Sequence, residues 1–230
     1  MLNAGERWDL DLLRRAVRYQ AWVVDALGPA VRGNVLEVGA GIGNFTGFVA
    51  ERADTVLALE PESDLCEEIE GRRLPNVRAE AVTIERTDVP PESFDASVLI
   101  NVLEHIDDDV AALRRVHDLL KPGGSACVLV PAHMFLYGSL DARYEHVRRY
   151  TKSELRERFS EAGLTPVSVR YFNPVGAIGW FIVGRIIRPS RLSRSSVSVS
   201  ERVAVPIGRF LERLGSPPFG QSVVGIARRD

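Results

Sequence analysis

Three glycines at alternate positions, 39, 41 and 43, follow an apolar run and precede a predicted helix. Glycine has no Cβ, so a ligand can lie against the backbone there and the chain can turn sharply with a positive φ. The free N–H groups at the start of the next helix would then face that ligand. The pattern therefore favours a ligand-binding turn over a purely structural one.

The spacing of the glycines in this turn distinguishes between classes of bound cofactor. A dinucleotide fingerprint requires glycine or alanine three positions beyond the second glycine, where this chain has Asn44. The Lys-Ser/Thr pair of a phosphate-binding loop is also missing. Glu60, at the end of the second predicted strand, is placed to accept hydrogen bonds from ribose hydroxyls.

Three histidines are candidate general bases, because imidazole titrates near neutral pH. His105 follows the fourth predicted strand, His133 follows the fifth, and His146 lies in a long polar loop. Hydrogen bonding within the fold is the alternative role for each of them. In the same loop Tyr144 and Arg148 are candidate acceptor-binding residues, since a guanidinium group binds carboxylate or phosphate; the alternative is that Arg148 ties the loop to the fold.

Short apolar runs alternate with amphipathic helices through the first half of the chain. Such alternation predicts an α/β fold with a doubly wound, mostly parallel sheet and helices on both faces. Ligands bind such a sheet at the carboxyl ends of its strands. The predicted strands are residues 34–39, 55–59, 77–84, 94–100, 125–130, 165–172 and 221–227. The predicted helices are residues 8–27, 45–52, 63–71, 110–120, 151–163, 174–188 and 201–214, with a mobile serine-rich loop at 189–200.

A single domain is expected for residues 1–230. It consists of an N-terminal helical segment (1–30), a cofactor-binding core (31–131), and a loop (132–150) and helical cap (174–220) that build the acceptor site. The cap is an insertion before the last strand, and an apolar pocket or a homodimer contact would use its apolar helix.

Five motifs in this order resemble the class I (Rossmann-like) S-adenosylmethionine (SAM)-dependent methyltransferase family, small-molecule type, related to the ubiquinone-biosynthesis methyltransferases. The motifs are Leu36-Glu-Val-Gly-Ala-Gly-Ile-Gly43, Leu59-Glu-Pro61, Ser93-Phe-Asp-Ala-Ser-Val98, Asn101-Val-Leu-Glu-His105 and Leu120-Lys-Pro-Gly-Gly124. The resemblance implies a seven-stranded sheet with an antiparallel last strand. It also implies SAM as cofactor, S-adenosylhomocysteine as product, and a small-molecule, sugar- or lipid-linked acceptor methylated at O, N or C.

The resemblance also implies roles for individual residues. Glu37 and the turn Gly39, Ala40, Gly41 and Gly43 would hold the methionine end of SAM. Glu60 would hold the ribose, and Asn101 would line the sulfonium.

The adenine site departs from the family pattern. The family has Gly-Asp after the third strand, where this chain has Val82 and Thr83. Thr83 would then bond the adenine amine and Ile84 would pack on the ring.

The composition disfavours several classes of function. The formal net charge of −2 argues against a nucleic-acid methyltransferase, which remains an alternative together with a SAM-binding protein that transfers no methyl. Cys66 and Cys127 lack metal-ligand spacing, so no metal site is expected. The N-terminus does not have the pattern of a signal peptide, which predicts a cytoplasmic protein. A peripheral membrane contact through the arginines at 185, 188, 191 and 194 is a further expectation.

Overall fold

Seven strands form one sheet in the computed structural model, which describes residues 4–183 and 193–230. The strand order is β3-β2-β1-β4-β5-β7-β6. The first five strands pair in parallel, and β7 runs antiparallel to both of its neighbours, β5 and β6. The predicted fold class is confirmed. The strands are β1 (Asn34–Val38), β2 (Thr55–Leu59), β3 (Val77–Glu80), β4 (Phe94–Ile100), β5 (Leu120–Pro131), β6 (Thr165–Phe172) and β7 (Ser222–Arg228).

Neighbouring residues of a strand point to opposite sides of the sheet. Apolar side chains therefore lie on both faces, and helices cover each face. On β1, Val35 packs with Trp22 and Leu27 of the N-terminal segment, and Leu36 packs in the other core with Leu113. The helices are α1 (Ala4–Leu13), α2 (Val17–Leu27), α3 (Thr46–Ala50), α4 (Ser63–Gly71), α5 (Asp109–Leu119), α6 (Ser139–Arg143), α7 (Lys152–Glu161), α8 (Pro174–Phe181), α9 (Arg194–Val199) and α10 (Val205–Arg213).

The strand order reverses between β1 and β4, and the chain crosses from one side of β1 to the other there. In open α/β sheets the crevice outside the carboxyl ends at such a point is where ligands bind. The glycine turn follows β1 and Asn101 follows β4, so both lie at this point.

The prediction of one N-terminal helix over 8–27 is wrong, since α1 and α2 are separate. The backbone N–H groups of Arg18 and Tyr19 donate to the two carboxylate oxygens of Glu201, at 2.8 and 2.9 Å. Gln20 Nε2 donates to the carbonyl of Leu13 at 2.8 Å. These contacts satisfy groups that a helix break exposes, and two of the three involve Glu201, which lies far along the chain.

The serine-rich segment is helical where the structure describes it, so the prediction of a loop there is wrong. Ser193 caps α9, and its hydroxyl accepts a hydrogen bond from the N–H of Ser196 at 3.1 Å. A π-helical stretch at Ser200–Ala204 joins α9 to α10. Val197 is buried against Leu12 of α1.

Residues 184–192 lie outside the described residues, as do the predicted membrane-contacting arginines 185, 188 and 191 and the end of the predicted helix 174–188. Within the described ranges, no helix combines the length and apolar character needed to cross a membrane.

Candidate cofactor and acceptor site

The glycine turn is held against the end of β2 by its own backbone. The N–H groups of Gly39 and Ala40 both donate to the carbonyl of Leu59, at 2.8 and 3.1 Å. The glycines at 39, 41 and 43 have φ of +66°, +57° and +78°, which glycine adopts without strain. A Cβ on Gly39 would lie 2.7 Å from Cγ2 of Val102, so the turn also packs tightly on the loop after β4.

Glu60 lies directly on this turn. Its carboxylate accepts hydrogen bonds from the N–H of Gly41 at 2.8 Å and of Glu62 at 3.1 Å. Burial raises the pKa of Glu60, and these two hydrogen bonds oppose that shift. The carboxylate is therefore fixed on the glycine turn, and its role toward the ribose stays a prediction.

Glu37 has a buried carboxyl oxygen, Oε2, without a hydrogen-bond partner among the described residues. Burial raises the pKa of Glu37 to about 7, although Thr46 and Arg72 oppose the shift. Such a group is destabilising unless a ligand supplies the missing interaction. The ammonium group at the methionine end of SAM is a cation of the required kind, so the residues present fit this cofactor.

The other three predicted cofactor residues follow β3 and β4. Asn101 is exposed, has a φ of +54°, and its N–H donates to the carbonyl of Leu129 at 2.8 Å. β3 ends at Glu80, before its predicted end, so Thr83 and Ile84 lie in the turn that follows. Thr83 is half-buried and Ile84 is buried in the apolar core. Their roles toward adenine stay predictions.

α1 and the loop 132–150 meet at one buried carboxylate that sequence reasoning missed. Asp9 accepts a hydrogen bond from the hydroxyl of Tyr144 at 2.7 Å and pairs with Arg143 at 3.3 Å. The amide of Asn44, next to the glycine turn, donates to the carbonyl of Leu10 at 3.1 Å. The N-terminal helix thus covers the turn and is tied to the predicted acceptor loop.

Of the three candidate bases, two come together and one stands apart. The rings of His105 and His146 are 4.7 Å apart and nearly perpendicular. Desolvation and the neighbouring His146 lower the pKa of His105 to about 4, although part of this residue is exposed. His133 packs instead between Phe135 and Tyr171, with ring centroids at 5.0 and 4.5 Å.

A second buried carboxylate missed by sequence reasoning organises the loop. Asp141 Oδ1 is 3.0 Å from Nδ1 of His146 and 2.7 Å from Nε of Arg149, and Oδ2 is 3.3 Å from Nε1 of Trp180. Burial alone would raise the pKa of Asp141, yet the hydrogen bonds from His146 and Arg149 lower it to about 2. No signal in the sequence singles Asp141 out, because its partners come from different elements.

The two predicted acceptor-binding residues are both engaged with the protein. Tyr144 bonds to Asp9, as described above. Arg148 pairs with Asp109 at 2.8 Å and donates to the carbonyl of Asp107, also at 2.8 Å. These contacts correspond to the alternative role, in which the arginine ties the loop to the fold.

Known proteins resemble this chain over its sheet and its glycine turn. Residues 8–169 match a family model described as a methyltransferase domain. An uncharacterized protein of Mycobacterium tuberculosis is 32% identical over 111 residues, 45% of this chain and 37% of that protein. A ubiquinone biosynthesis O-methyltransferase of Ruegeria pomeroyi is 33% identical over 99 residues, 36% of this chain and 40% of that enzyme. The similarity thus spans less than half the length of these curated relatives.

Solved structures share the whole fold. A geranyl diphosphate methyltransferase in complex with SAM has a TM-score of 0.66 at 16% identity, covering 93% of this chain and 85% of that one. A SAM-dependent methyltransferase of Thermotoga maritima, a possible histamine N-methyltransferase, has a TM-score of 0.65 at 20% identity, covering 98% and 94%. At these identities the similarity establishes a common fold, and it agrees with SAM as the cofactor.

Proposed function

This chain belongs to the methyltransferase domain family, and we propose that it transfers the methyl group of SAM to a small-molecule, sugar- or lipid-linked acceptor. The observation that carries the proposal is the buried carboxyl group of Glu37, one oxygen of which has no hydrogen bond among the described residues, close to a glycine turn that Glu60 caps. Glu37 would bind the ammonium group of SAM, and Glu60 would bind the ribose.

The residues of this site bind and align the reactants. SAM supplies an activated methyl group on sulfur and leaves as a neutral thioether. Glu37 neutralises the ammonium group, the glycine turn lets the methionine end approach the backbone, and Glu60 holds the ribose. Alignment of this kind is worth about 7–11 kcal/mol of the activation barrier. Because the methyl group is already activated on sulfur, the protein need not activate it.

Polar side chains after β4 favour a hydroxyl or amine over carbon as the methylated group, while the loop 132–150 and the helical cap expose apolar side chains that suit an apolar part of the acceptor. His105 and His146 bring their imidazole rings together after β4, and Asn101 is exposed four residues before His105. The loop 132–150 and the helical cap would enclose the acceptor. A nucleic-acid acceptor is disfavoured by the net charge of −2.

Calorimetric titration with SAM, S-adenosylhomocysteine and NADH tests the cofactor. We expect micromolar binding of both adenosyl ligands and none of NADH. Glu60→Ala should weaken SAM binding roughly 10- to 150-fold, since a hydrogen bond to a charged group is worth about 1.5–3 kcal/mol. Glu67→Ala is the matched control, because it removes an exposed glutamate side chain on α4 and should leave the affinity unchanged. A preference for NADH would overturn the proposal.

Release of S-adenosylhomocysteine in the presence of an acceptor panel separates an enzyme from a binding protein. Methyl transfer to any hydroxyl or amine acceptor supports the proposal. Tight SAM binding with no turnover across glycosides, phenols, amines and prenyl lipids would favour a SAM-binding protein without transfer activity.

A further inference from the structure

We propose that Glu104, His105 and His146 bind a divalent transition-metal cation on the acceptor side of the SAM site. One carboxylate oxygen of Glu104 and one ring nitrogen of each histidine lie within 4.8 Å of one another. Among the residues that the structure describes, this is the one group of three such side chains that meets this distance. A cation at the centre would need each ligand atom to move inward by about 1 Å to reach bonding distance.

Glu104 is the observation that points to a ligand. It is fully buried, at 0% exposure, and neither of its carboxylate oxygens has a hydrogen bond to another described residue. Buried carboxylates are normally paired or bound to a metal. The guanidinium of Arg149 is near enough to act on Glu104 electrostatically but is hydrogen-bonded to Asp141 and to the carbonyl of Ala132. A cation between Glu104 and the two histidines supplies the missing partner.

The histidines have the supporting contacts of metal ligands. Nδ1 of His146 faces Asp141 Oδ1 at 3.0 Å, so a proton there leaves the lone pair of Nε2 free. Nε2 lies 3.9 Å from Oε1 of Glu104. A carboxylate that holds the far ring nitrogen is the usual arrangement around a metal-bound histidine. The ring of His105 is likewise hydrogen-bonded to the backbone of Tyr144.

The donor set indicates the class of metal. Two imidazole nitrogens and one carboxylate oxygen suit zinc, iron, cobalt or manganese, whereas calcium and magnesium favour sites made of oxygen atoms. Three protein ligands also leave coordination positions open for a substrate.

The role of the cation rests on the proposed function, although its binding does not. A hydroxyl of the acceptor, bound at an open position, would have its pKa lowered and would release its proton to water. The oxygen–methyl bond would form as the sulfur–methyl bond of SAM breaks, giving a methyl ether and S-adenosylhomocysteine. Acceptors with two neighbouring oxygens, which can chelate, would be preferred.

Metal binding can be measured without any acceptor. The protein is treated with a chelator and titrated with Zn²⁺ by calorimetry, and Co²⁺ binding is followed by visible absorption. We expect one ion per chain with micromolar or tighter affinity. Glu104→Gln and His105→Gln should weaken binding at least about 100-fold, and Asp141→Asn, which acts through His146, should weaken it roughly 10- to 100-fold.

His117→Gln is the control, because His117 lies on α5 outside this cluster and should leave binding unchanged. Part of His105 is exposed, so its variant is expected to fold, which thermal unfolding checks. Wild-type protein that binds Zn²⁺ no more tightly than Glu104→Gln would overturn the metal site.

SAM titration of the same samples separates this inference from the proposed function. If SAM binds and Zn²⁺ does not, the metal site is wrong and the proposed function is unaffected. If Zn²⁺ binds as expected and SAM does not, the metal site is supported and the proposed function is wrong.

Discussion

Three buried glutamates lie at the carboxyl edge of the sheet, and they differ in how many of their carboxyl oxygens accept hydrogen bonds. Glu60 receives two backbone N–H groups, whereas Glu37 keeps one oxygen, and Glu104 both oxygens, without a hydrogen bond among the described residues. Burial raises the pKa of all three. At the scale of single residues, burial opposes ionisation of these carboxyl groups, and a positively charged ligand beside Glu37 or Glu104 would favour the ionised form.

The affinity for SAM should rise with pH through the pKa of Glu37. That pKa is about 7 in the free protein, and the ammonium group of SAM favours the ionised carboxylate. Binding is weakened below pH 7 by the need to remove a proton from Glu37, whereas near pH 8 the amino group of SAM is partly neutral. Together these effects predict roughly fourfold tighter binding at pH 8 than at pH 6. Calorimetry at both pH values measures the ratio.

Glu37→Gln is the control for titration of SAM itself, whose amino group loses its proton with a pKa of about 7.7–8.0. The variant should bind SAM more weakly at pH 8 and lose the rise in affinity. Titration of SAM alone would weaken binding as the pH rises, so an unchanged rise in affinity in Glu37→Gln would contradict the assignment to Glu37.

Gly39→Ala should destabilise the fold. Residue 39 has a φ of +66°, and a Cβ there would lie 2.7 Å from Val102. We expect a loss of about 1–3 kcal/mol in the free energy of unfolding, measured with urea. Gly47→Ala in α3, where a Cβ meets nothing within 4 Å, should instead stabilise the protein by about 0.4–1 kcal/mol. Equal effects at both positions would contradict the account of the turn.

Residues in the second half of the chain form hydrogen bonds with the two N-terminal helices. Glu201, in the π-helical stretch before α10, caps the start of α2 with two hydrogen bonds. Tyr144, which follows α6, bonds to Asp9 of α1. At this scale the second half of the chain contributes contacts to both N-terminal helices, and α1 is tied to the glycine turn itself by Asn44.

Glu201→Ala should lower the free energy of unfolding by about 0.5–2 kcal/mol, because two N–H groups at the start of α2 lose their cap. Glu157→Ala, an exposed carboxylate on α7, should change it by less than about 0.5 kcal/mol. Urea denaturation followed by circular dichroism measures both variants. A loss no larger than that of the control would mean that water replaces the cap.

Tyr144→Phe should loosen α1 without unfolding the sheet. The variant removes the hydrogen bond to Asp9, and a bond to a charged group is worth about 1.5–3 kcal/mol. Hydrogen exchange of α1 should then speed up by roughly 10-fold or more, while exchange in β1 stays unchanged as the internal reference. Faster exchange in β1 would indicate general destabilisation, and unchanged exchange in α1 would mean that the tie is not needed.

The two cores join the N-terminal segment, the sheet and the helical cap into one folding unit. Trp22 of α2 lies in the same core as Val205 of α10 and Val224 of β7. A Cβ on Gly208 of α10 would lie 2.5 Å from the Trp22 ring, so these two helices are in close contact. At the scale of the molecule, the segments at both ends of the chain share one interior.

A single cooperative unfolding transition is the expected consequence. The three tryptophans, Trp8, Trp22 and Trp180, lie in the N-terminal segment and the helical cap, whereas circular dichroism also reports the sheet. Fluorescence and circular dichroism should therefore give coincident urea transitions. An earlier fluorescence transition would show that the end segments unfold separately and that the single-domain prediction is wrong.

The sequence by itself determined the features that arise from short stretches of chain. Periodicity placed β2, β4 and β6 at their observed bounds, and residue spacing identified the glycine turn and Glu60. Both signals reach over a few to about twenty residues, so no long-range contact is needed to interpret them. The match to a methyltransferase domain over residues 8–169 confirms the family to which these motifs pointed.

Only the tertiary structure decided which side chains meet. Glu104 and His146 come together through the fold of the loop 132–150, which Asp141 holds, whereas His133, although closer in sequence to each of them, packs against Tyr171. The cap from Glu201 to α2 likewise joins residues more than 180 positions apart. Such pairings depend on packing between elements, and residue types and spacing carry no information about that packing.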